Sequence, residues 1–231
     1  MSSKPSIPAS SAPHSPPQNA RVLVIAPHGS YRTAPFVAAA RRVAAEAFIV
    51  SHGKFALTGA SAQGLHVDFD QLDAALAAIL HEHHQRPFRA VLGTDDATTE
   101  FAAHVAQAIG LPHNDPAAAR ISRRKDLARE RLRAAGVPAP ASRRIDMTQA
   151  LEPQAAAVSY PCVVKPLALS ASRGVIRADN AAEFVRACRR SAALVREAEL
   201  EDERSTLLAE DFIPGVEVAV EGLLTQGTLK L

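Results

Sequence analysis

The chain has 231 residues, of which 47% are hydrophobic, and a net charge of +2 from 26 Lys and Arg against 24 Asp and Glu. So small a charge argues against nucleic acid or an anionic membrane surface as a partner. No apolar run approaches the roughly 18 residues that a membrane-spanning helix needs. Cys162 and Cys188 stand in a sequence without a secretory signal, which predicts free thiols and a soluble, cytoplasmic protein.

Residues 1–19 differ in composition from the rest of the chain. They contain six Ser and five Pro, and they lack the apolar stretch of a signal peptide. Such a segment cannot bury enough apolar surface to offset the entropy lost on ordering. We therefore expect a disordered tail.

Residues 20–114 alternate between short apolar runs and longer Ala-rich segments, which predicts a mostly parallel sheet covered on both faces. Asp70 is expected to cap the second helix, and Gly110 to terminate the third. The predicted elements are, in chain order, a strand at 22–26, a helix at 36–47, strands at 48–50 and 65–69, a helix at 71–83, a strand at 88–92 and a helix at 98–109.

Two polar segments follow predicted strands of this domain, namely His28-Gly29-Ser30 and Thr94-Asp95-Asp96. Ligands of parallel sheets bind beyond the carboxyl ends of the strands, so both segments are candidates for a binding site. Asp95 and Asp96 are equally well explained as caps of the next helix, and both interpretations stay open. The first strand is not followed by G-x-G-x-x-G, which argues against a dinucleotide site.

The sequence His81-Glu82-His83-His84 suggests a metal site, because His81 and His84 are three positions apart on a predicted helix. No third ligand stands at a recognisable spacing. Polar and cationic side chains are also common at the end of a helix. We favour a solvated helix end.

A strongly basic segment opens the region 115–231. Asp115-Pro116 predicts the start of a helix, and seven basic residues stand against two acidic ones between Arg120 and Arg133. The ordinary interpretation is a solvated helix face, and nucleic acid is disfavoured because no aromatic residues are interleaved. A triphosphate is another ligand that such charge would attract.

A predicted strand, 160–166, carries Lys165 near its end and is followed by the small-residue loop 169–174 and a second strand, 175–178. Exposed N–H groups in such a loop can hold phosphate oxygens while a lysine supplies positive charge. Ordinary hairpin turns have similar compositions.

The segment 207–222 predicts two strands joined by a turn at Pro214-Gly215. In the second strand Glu217 and Glu221 alternate with valines, and carboxylates on one face of a strand normally point to solvent. Glu210 and Glu217 lie on either side of the turn, where one adenosine would meet both.

These motifs, in this order, resemble those of the ATP-grasp superfamily. They are most similar to the branch with carbamoyl-phosphate synthase, biotin carboxylase and phosphoribosylamine–glycine ligase. The resemblance implies an α/β protein in which a pre-ATP-grasp parallel-sheet domain, 20–114, precedes an incomplete α+β ATP-grasp domain, 115–231. It rests on Arg124-Lys125, Arg131-Leu132 with Ala135-Gly136-Val137-Pro138, Val163-Val164-Lys165-Pro166, Ser172-Arg173-Gly174-Val175 and Glu210 to Gly222.

The resemblance also implies the residues of an ATP site. Two lysines, Lys125 and Lys165, would contact phosphates, and Lys165 would also lie near the adenine. A loop would close over the triphosphate, formed by Ser170, Ala171, Ser172 and Gly174. The adenine edge would be met, largely through backbone atoms, by Glu210, Asp211, Phe212 and Ile213, and Glu217 would accept hydrogen bonds from the ribose.

The implied reaction is ATP-dependent ligation of a carboxylate to an amine through an acyl phosphate, with Mg²⁺ as cofactor and often with a homodimeric enzyme. The family often has Gly at the position of Ala171, which implies a stiffer loop here. The family's acidic Mg²⁺ ligands would follow Leu231, so we assign no metal ligand and expect a truncated, ATP-binding portion of a ligase. A non-catalytic nucleotide-binding module and one half of a split ligase are the alternatives.

Overall fold

A computed structural model describes residues 20–27, 30–52, 63–198, 205–225 and 227–231. The chain divides into two compact units, 1–123 and 124–231, and each is described by itself. The predicted tail, 1–19, lies outside the described residues.

The first unit contains a four-stranded sheet of order β3-β2-β1-β4 in which every pairing is parallel, which confirms the predicted sheet. Apolar strand β1 lies inside the sheet, as its continuous run of hydrophobic residues predicts. The elements are β1 (Arg21–Pro27), α1 (Thr33–Arg42), β2 (Glu46–His52), β3 (Gln63–His66), α2 (Leu72–Gln85), β4 (Ala90–Gly93), a 3₁₀ turn (Asp96–Thr98), α3 (Thr99–Ala108) and α4 (Pro116–Arg123).

Both faces of this sheet are covered. On one face Leu23 and Ile25 of β1 pack in a cluster with Ile79 of α2 and Phe101 of α3. A smaller cluster around Ala40 of α1 covers the other face. The alternation of strands and helices along the chain therefore produces the layered arrangement that the sequence predicts.

Two details of the first unit differ from the prediction. Helix α1 ends at Arg42 rather than at residue 47, because Ala44 has a left-handed backbone (φ 54°) and strand β2 already begins at Glu46. The predicted cap Asp70 is also wrong. The backbone N–H of Asp70 instead donates to the Asp68 carboxylate in a local turn, and helix α2 begins at Leu72 without a side-chain cap.

The second unit has an antiparallel sheet of order β5-β8-β6-β7 and a separate β9-β10 hairpin. Its elements are α5 (Lys125–Ala134), β5 (Ser142–Asp146), α6 (Leu151–Ala156), β6 (Cys162–Pro166), β7 (Ile176–Ala178), α7 (Ala181–Glu197), β8 (Thr206–Asp211), β9 (Leu223–Thr225) and β10 (Thr228–Lys230).

The two faces of this sheet have different chemistry, because side chains alternate along each strand. Val164 of β6 and Ala209 of β8 point into a core with Phe184 of α7. The same core holds Cys162 and Cys188, which are free thiols as predicted, and burial raises their pKa to about 11 and about 12. Neighbouring positions in the strands, including Lys165 and Glu210, therefore belong to the opposite face.

The predicted strand after Pro214-Gly215 is wrong. Residues 212–222 form no strand, and β9 begins only at Leu223. Alternating valines predict a strand with one buried face, but Val216 and Val218 are 92% and 76% exposed. Within the described residues no neighbouring strand pairs with this segment, so the alternation has no sheet to join.

Candidate functional site

Lys165 and Glu210 form a close ion pair on the face of the second sheet that lies opposite the core with α7. In the antiparallel register Val163 lies opposite Glu210, so Lys165, two residues further along β6, is its diagonal neighbour. Lys165 Nζ is 2.6 Å from Glu210 Oε2. Glu210 is only 3% exposed, so its charge requires a partner within the protein.

Arg129 of α5 is a second cationic partner of Glu210. Its Nε lies 2.8 Å from Oε1 and its Nη2 lies 3.4 Å from Oε2. The Nε and Oε1 atoms are not aligned for a hydrogen bond, and neither has another hydrogen-bond partner in the described part of the chain. One carboxylate thus stands between two cations, which leaves the cluster with a net positive charge.

Arg129 is not among the predicted site residues, because a basic helix is ordinarily a solvated face. One signal was available, since Lys125 and Arg129 are four positions apart and therefore share a face of α5.

Lys125 joins the start of α5 to the chain that leaves β6. Its backbone N–H donates to the carbonyl of Leu167 at 3.0 Å, and its Nζ donates to the carbonyl of Leu169 at 2.8 Å. The ammonium group therefore lies at the base of the small-residue loop that the sequence predicts to hold phosphates.

Three residues of that loop have left-handed backbone conformations, with φ of 54° at Ala171, 56° at Ser172 and 72° at Gly174. The N–H groups of Arg173 and Val175 close turns within the loop. Among the described residues, the N–H groups of Ala171, Ser172 and Gly174 make no backbone hydrogen bond. Clustered, unused N–H groups of this kind are suited to binding an anion.

The far end of the loop is fixed to helix α7. Ser191 Oγ donates a buried hydrogen bond of 2.7 Å to the carbonyl of Gly174. A Cβ atom at Gly174 would lie 2.9 Å from Pro166 Cγ, so the loop passes too close to β6 for a larger residue. The loop tip from Ala171 to Arg173 is exposed, between two fixed ends.

Two backbone donors of the strand end at 210–213 are already used within the protein. The N–H of Asp211 donates to Ala141 O at 3.0 Å and the N–H of Phe212 to Pro161 O at 3.1 Å. The N–H of Ile213 has no partner among the described residues, and this residue is 65% exposed. The Phe212 ring lies 4.3 Å below the guanidinium of Arg177.

Glu217 has different surroundings from the other predicted site residues. It is exposed, in an irregular segment, and makes no described contact with Glu210, whose carboxylate is occupied by Lys165 and Arg129. The contact of Glu217 with a ribose stays a prediction.

In the first unit, the ends of β1 and β4 meet, and side chains that follow them are hydrogen-bonded to one another. Ser30 Oγ donates to Asp95 Oδ2 at 2.6 Å, and Thr94 Oγ1 donates to the same oxygen. Arg32 donates to the carbonyl of Thr94 at 3.4 Å, while Thr98 Oγ1 accepts from the N–H of Asp95. The Asp95 carboxylate therefore links the segments that follow β1 and β4 by hydrogen bonds. His28 and Gly29 lie outside the described residues.

Among the described residues, the histidines of α2 belong to no group of three potential metal ligands. His83 Nδ1 accepts a hydrogen bond from the N–H of Phe88 at 3.2 Å, and burial, followed by the charge of His84, lowers its pKa. A different group, His52, Asp68 and Asp70, has ligand atoms within 4.8 Å of one another. His52 Nδ1 already accepts from a backbone N–H there and the carboxylates are exposed, so we assign no metal to it.

A cavity of about 210 Å³ opens at the end of β8. Neither Lys125 nor Lys165 lines this cavity, and no residue of the loop 169–174 lines it. It is lined by residues 141–143, 157–159 and 209–211.

Known protein families match both units. Residues 37–113 match the ATP-grasp N-terminal domain and residues 158–231 match the ATP-grasp domain. The parallel-sheet unit and the lysine-bearing antiparallel sheet together define a protein of the ATP-grasp class. This chain belongs to the ATP-grasp superfamily.

Solved structures share the fold. The L-amino acid ligase of Bacillus licheniformis is 23% identical over 92% of this chain and 51% of its own, with a TM-score of 0.73. The carboxyaminoimidazole ribonucleotide synthase of Aspergillus clavatus, complexed with ATP, is 16% identical over 85% of this chain and 48% of its own, with a TM-score of 0.58. The biotin carboxylase domain of Hydrogenobacter thermophilus, complexed with MgADP, is 18% identical over 84% of this chain and 44% of its own, with a TM-score of 0.54.

This chain spans about half the length of these structures. A search of curated protein sequences returned no match. No helix in the described ranges is long and apolar enough to cross a membrane.

Proposed function

We propose that this chain binds ATP on the face of the second sheet that carries Lys165 and Glu210, and forms the ATP-binding portion of a carboxylate–amine ligase. The observation that carries the proposal is the cluster of Lys165, Glu210 and Arg129. Two cations around one buried carboxylate leave an excess positive charge at the base of a loop with unused N–H groups. A polyphosphate fits that combination, because charged hydrogen bonds and backbone donors bind it together.

The phosphates would lie between the lysines and the loop. Lys125 and Lys165 would supply positive charge, and Ala171, Ser172 and Gly174 would donate backbone hydrogen bonds. The left-handed residues of the loop support this placement, because they gather neighbouring N–H groups on one side of the chain.

The adenosine would lie at the end of β8. The N–H of Ile213 is the first backbone donor there without an internal partner, so it is the group that we propose for the adenine edge. Asp211 and Phe212 would contribute carbonyl groups and shape rather than N–H donors. Glu217 would meet the ribose hydroxyls.

Mg²⁺ would accompany the nucleotide phosphates, where it neutralises charge that develops during phosphoryl transfer. Among the described residues of the second unit, no three carboxylate, histidine or cysteine side chains lie close enough together to hold a metal ion. Glu210 is also engaged by two cations. We therefore assign no metal ligand in this chain.

In the proposed reaction, an oxygen of the substrate carboxylate takes the γ-phosphoryl group of ATP and ADP leaves. An amine nitrogen then attacks the acyl carbon, inorganic phosphate departs, and the nitrogen loses a proton. The chain's own contribution is to hold and orient the triphosphate, which is the main protein contribution in such transfers. A non-catalytic nucleotide-binding module or one half of a split ligase would use the same site.

Titration calorimetry with ATP tests the proposal. Lys165→Met is expected to weaken ATP binding about tenfold or more, since the loss of a charged hydrogen bond costs about 1.5–3 kcal/mol. Lys230→Met is the matched control, because Lys230 is exposed in β10 and its loss should leave the affinity unchanged. Equal ATP affinity of the Lys165→Met variant and the unmodified chain would contradict the proposal.

A further inference from the structure

The ammonium group of Lys165 already has a carboxylate partner within the protein. Its Nζ lies 2.6 Å from Glu210 Oε2, and its side chain is only 15% exposed. A lysine that turns toward a phosphate must loosen this contact. Without another partner, the buried Glu210 carboxylate would then lose its counter-charge, which is costly in a protein interior.

We infer that Arg129 is a positioning residue that keeps Glu210 neutralised while Lys165 turns to the phosphates. This inference rests on the proposed function. Arg129 Nε and Glu210 Oε1 are 2.8 Å apart and yet not aligned, and both atoms lack a hydrogen bond within the described chain. A small rotation of the guanidinium would give two parallel hydrogen bonds, the geometry in which arginine binds carboxylates best.

The surroundings hold Arg129 in place for this exchange. Arg133, one turn further along α5, donates to Ser142 Oγ of β5 at 3.1 Å. At the start of the helix, Asp126 accepts two hydrogen bonds from Arg124. Burial acts to raise the pKa of Asp126, but Arg124, the backbone N–H of Leu127 and Arg144 together lower it, so the carboxylate stays charged.

Lys165 and Arg129 each have an anionic partner before and after Lys165 turns from Glu210 to a phosphate. Before it, Glu210 shares its charge between Lys165 and Arg129. After it, Arg129 alone pairs with Glu210 and Lys165 binds a phosphate. Arg129 thus raises polyphosphate affinity without contacting the nucleotide.

The experiment compares ATP and adenosine affinities of the full chain, by calorimetry and NMR titration. Arg129→Met leaves Lys165 as the only cationic partner of Glu210 among the described residues, so ATP affinity should fall at least fivefold while adenosine affinity stays within twofold. Adding Glu210→Gln removes the charge that retains the lysine. The double variant R129M/E210Q should therefore recover ATP affinity to within about threefold of the unmodified chain.

A merely structural role for Arg129 gives different results. ATP and adenosine affinities that fall together, a double variant that binds ATP less tightly than R129M, or an unchanged ATP affinity in R129M would each overturn the inference. If R129M does not fold, the conservative variant Arg129→Lys and the neutral variant Arg129→Gln decide. Arg129→Lys keeps a cation beside Glu210 and should bind ATP at least threefold more tightly than Arg129→Gln, with equal adenosine affinities. Equal ATP affinities of these two variants would overturn the inference.

Failure of the proposed function is distinguishable. In that case the unmodified chain does not bind ATP, or the Lys165→Met variant binds it equally well. If ATP binding depends on Lys165 but not on Arg129, only the inference about Arg129 is overturned.

Discussion

Ser191 Oγ donates a hydrogen bond of 2.7 Å to the carbonyl of Gly174, and both groups are buried. This contact joins the long helix α7 to the end of the loop that we propose for phosphate binding. The loop tip can therefore adapt to a ligand while its carboxyl-terminal end stays attached to the core.

Ser191→Ala should destabilise the second unit by about 1–3 kcal/mol, because it leaves the Gly174 carbonyl buried without its donor. Urea unfolding followed by a probe in this unit measures the change. Ser159→Ala, at an exposed position, is the control and should alter the stability little. Equal stability of the two variants would show that the contact does not hold the loop.

Ala171→Gly should stabilise the second unit by about 0.5–1 kcal/mol. Ala171 has φ of 54°, where a Cβ atom is strained, and glycine removes that strain at some entropic cost. Ala156→Gly in helix α6 is the comparison and should have the opposite sign, since its backbone is helical. A loss of stability in Ala171→Gly would contradict the strain that we describe, and thermal unfolding reports either sign.

The stability of the first unit should decrease as the pH falls below about 6.5. His83 has a lowered pKa in the folded state, so below the unfolded-state value of 6.5 the unfolded chain takes up a proton first and is favoured. The loss ends once the pH is below the folded-state pKa. Urea midpoints at pH 7.5 and pH 5 measure it.

His83→Gln should reduce this pH dependence, whereas His81→Gln, at an exposed position on the same helix, should preserve it. An unchanged dependence in His83→Gln would assign the effect to other groups. Burial of the His83 ring, followed by the charge of His84, gives the sign of the effect. Protonation would also break the hydrogen bond that His83 Nδ1 accepts from the N–H of Phe88.

Much of the fold could be predicted from the sequence, because the strands of the first unit are continuous apolar runs with few alternatives. Ile25 and Val50 lie in such runs and are fully buried in paired parallel strands. The segment after Pro214 shows the limit of this reasoning. Its valines alternate as in a strand, but alternation indicates a strand only where another strand is available to pair.

The candidate site was predictable only in part. Lys125 and Lys165 stand in motifs that resemble a known family, and the structure places both beside the loop or the strand end that the sequence indicates. The role of Arg129 depends on the position of α5 relative to Glu210 of β8, which the spacing of charges along a helix does not determine. The burial of Glu210 could not be predicted either, because it also depends on where α5 lies.

Amide hydrogen exchange of the full chain, with and without ATP, tests the central claim most directly. ATP should slow exchange in peptides that cover 170–175 and 211–214, where Ala171, Ser172, Gly174 and Ile213 have N–H groups without described partners. Peptides from α2, Leu72–Gln85, should be unchanged. Protection confined to the first unit, or no protection at either segment at a saturating ATP concentration, would contradict an ATP site on this sheet.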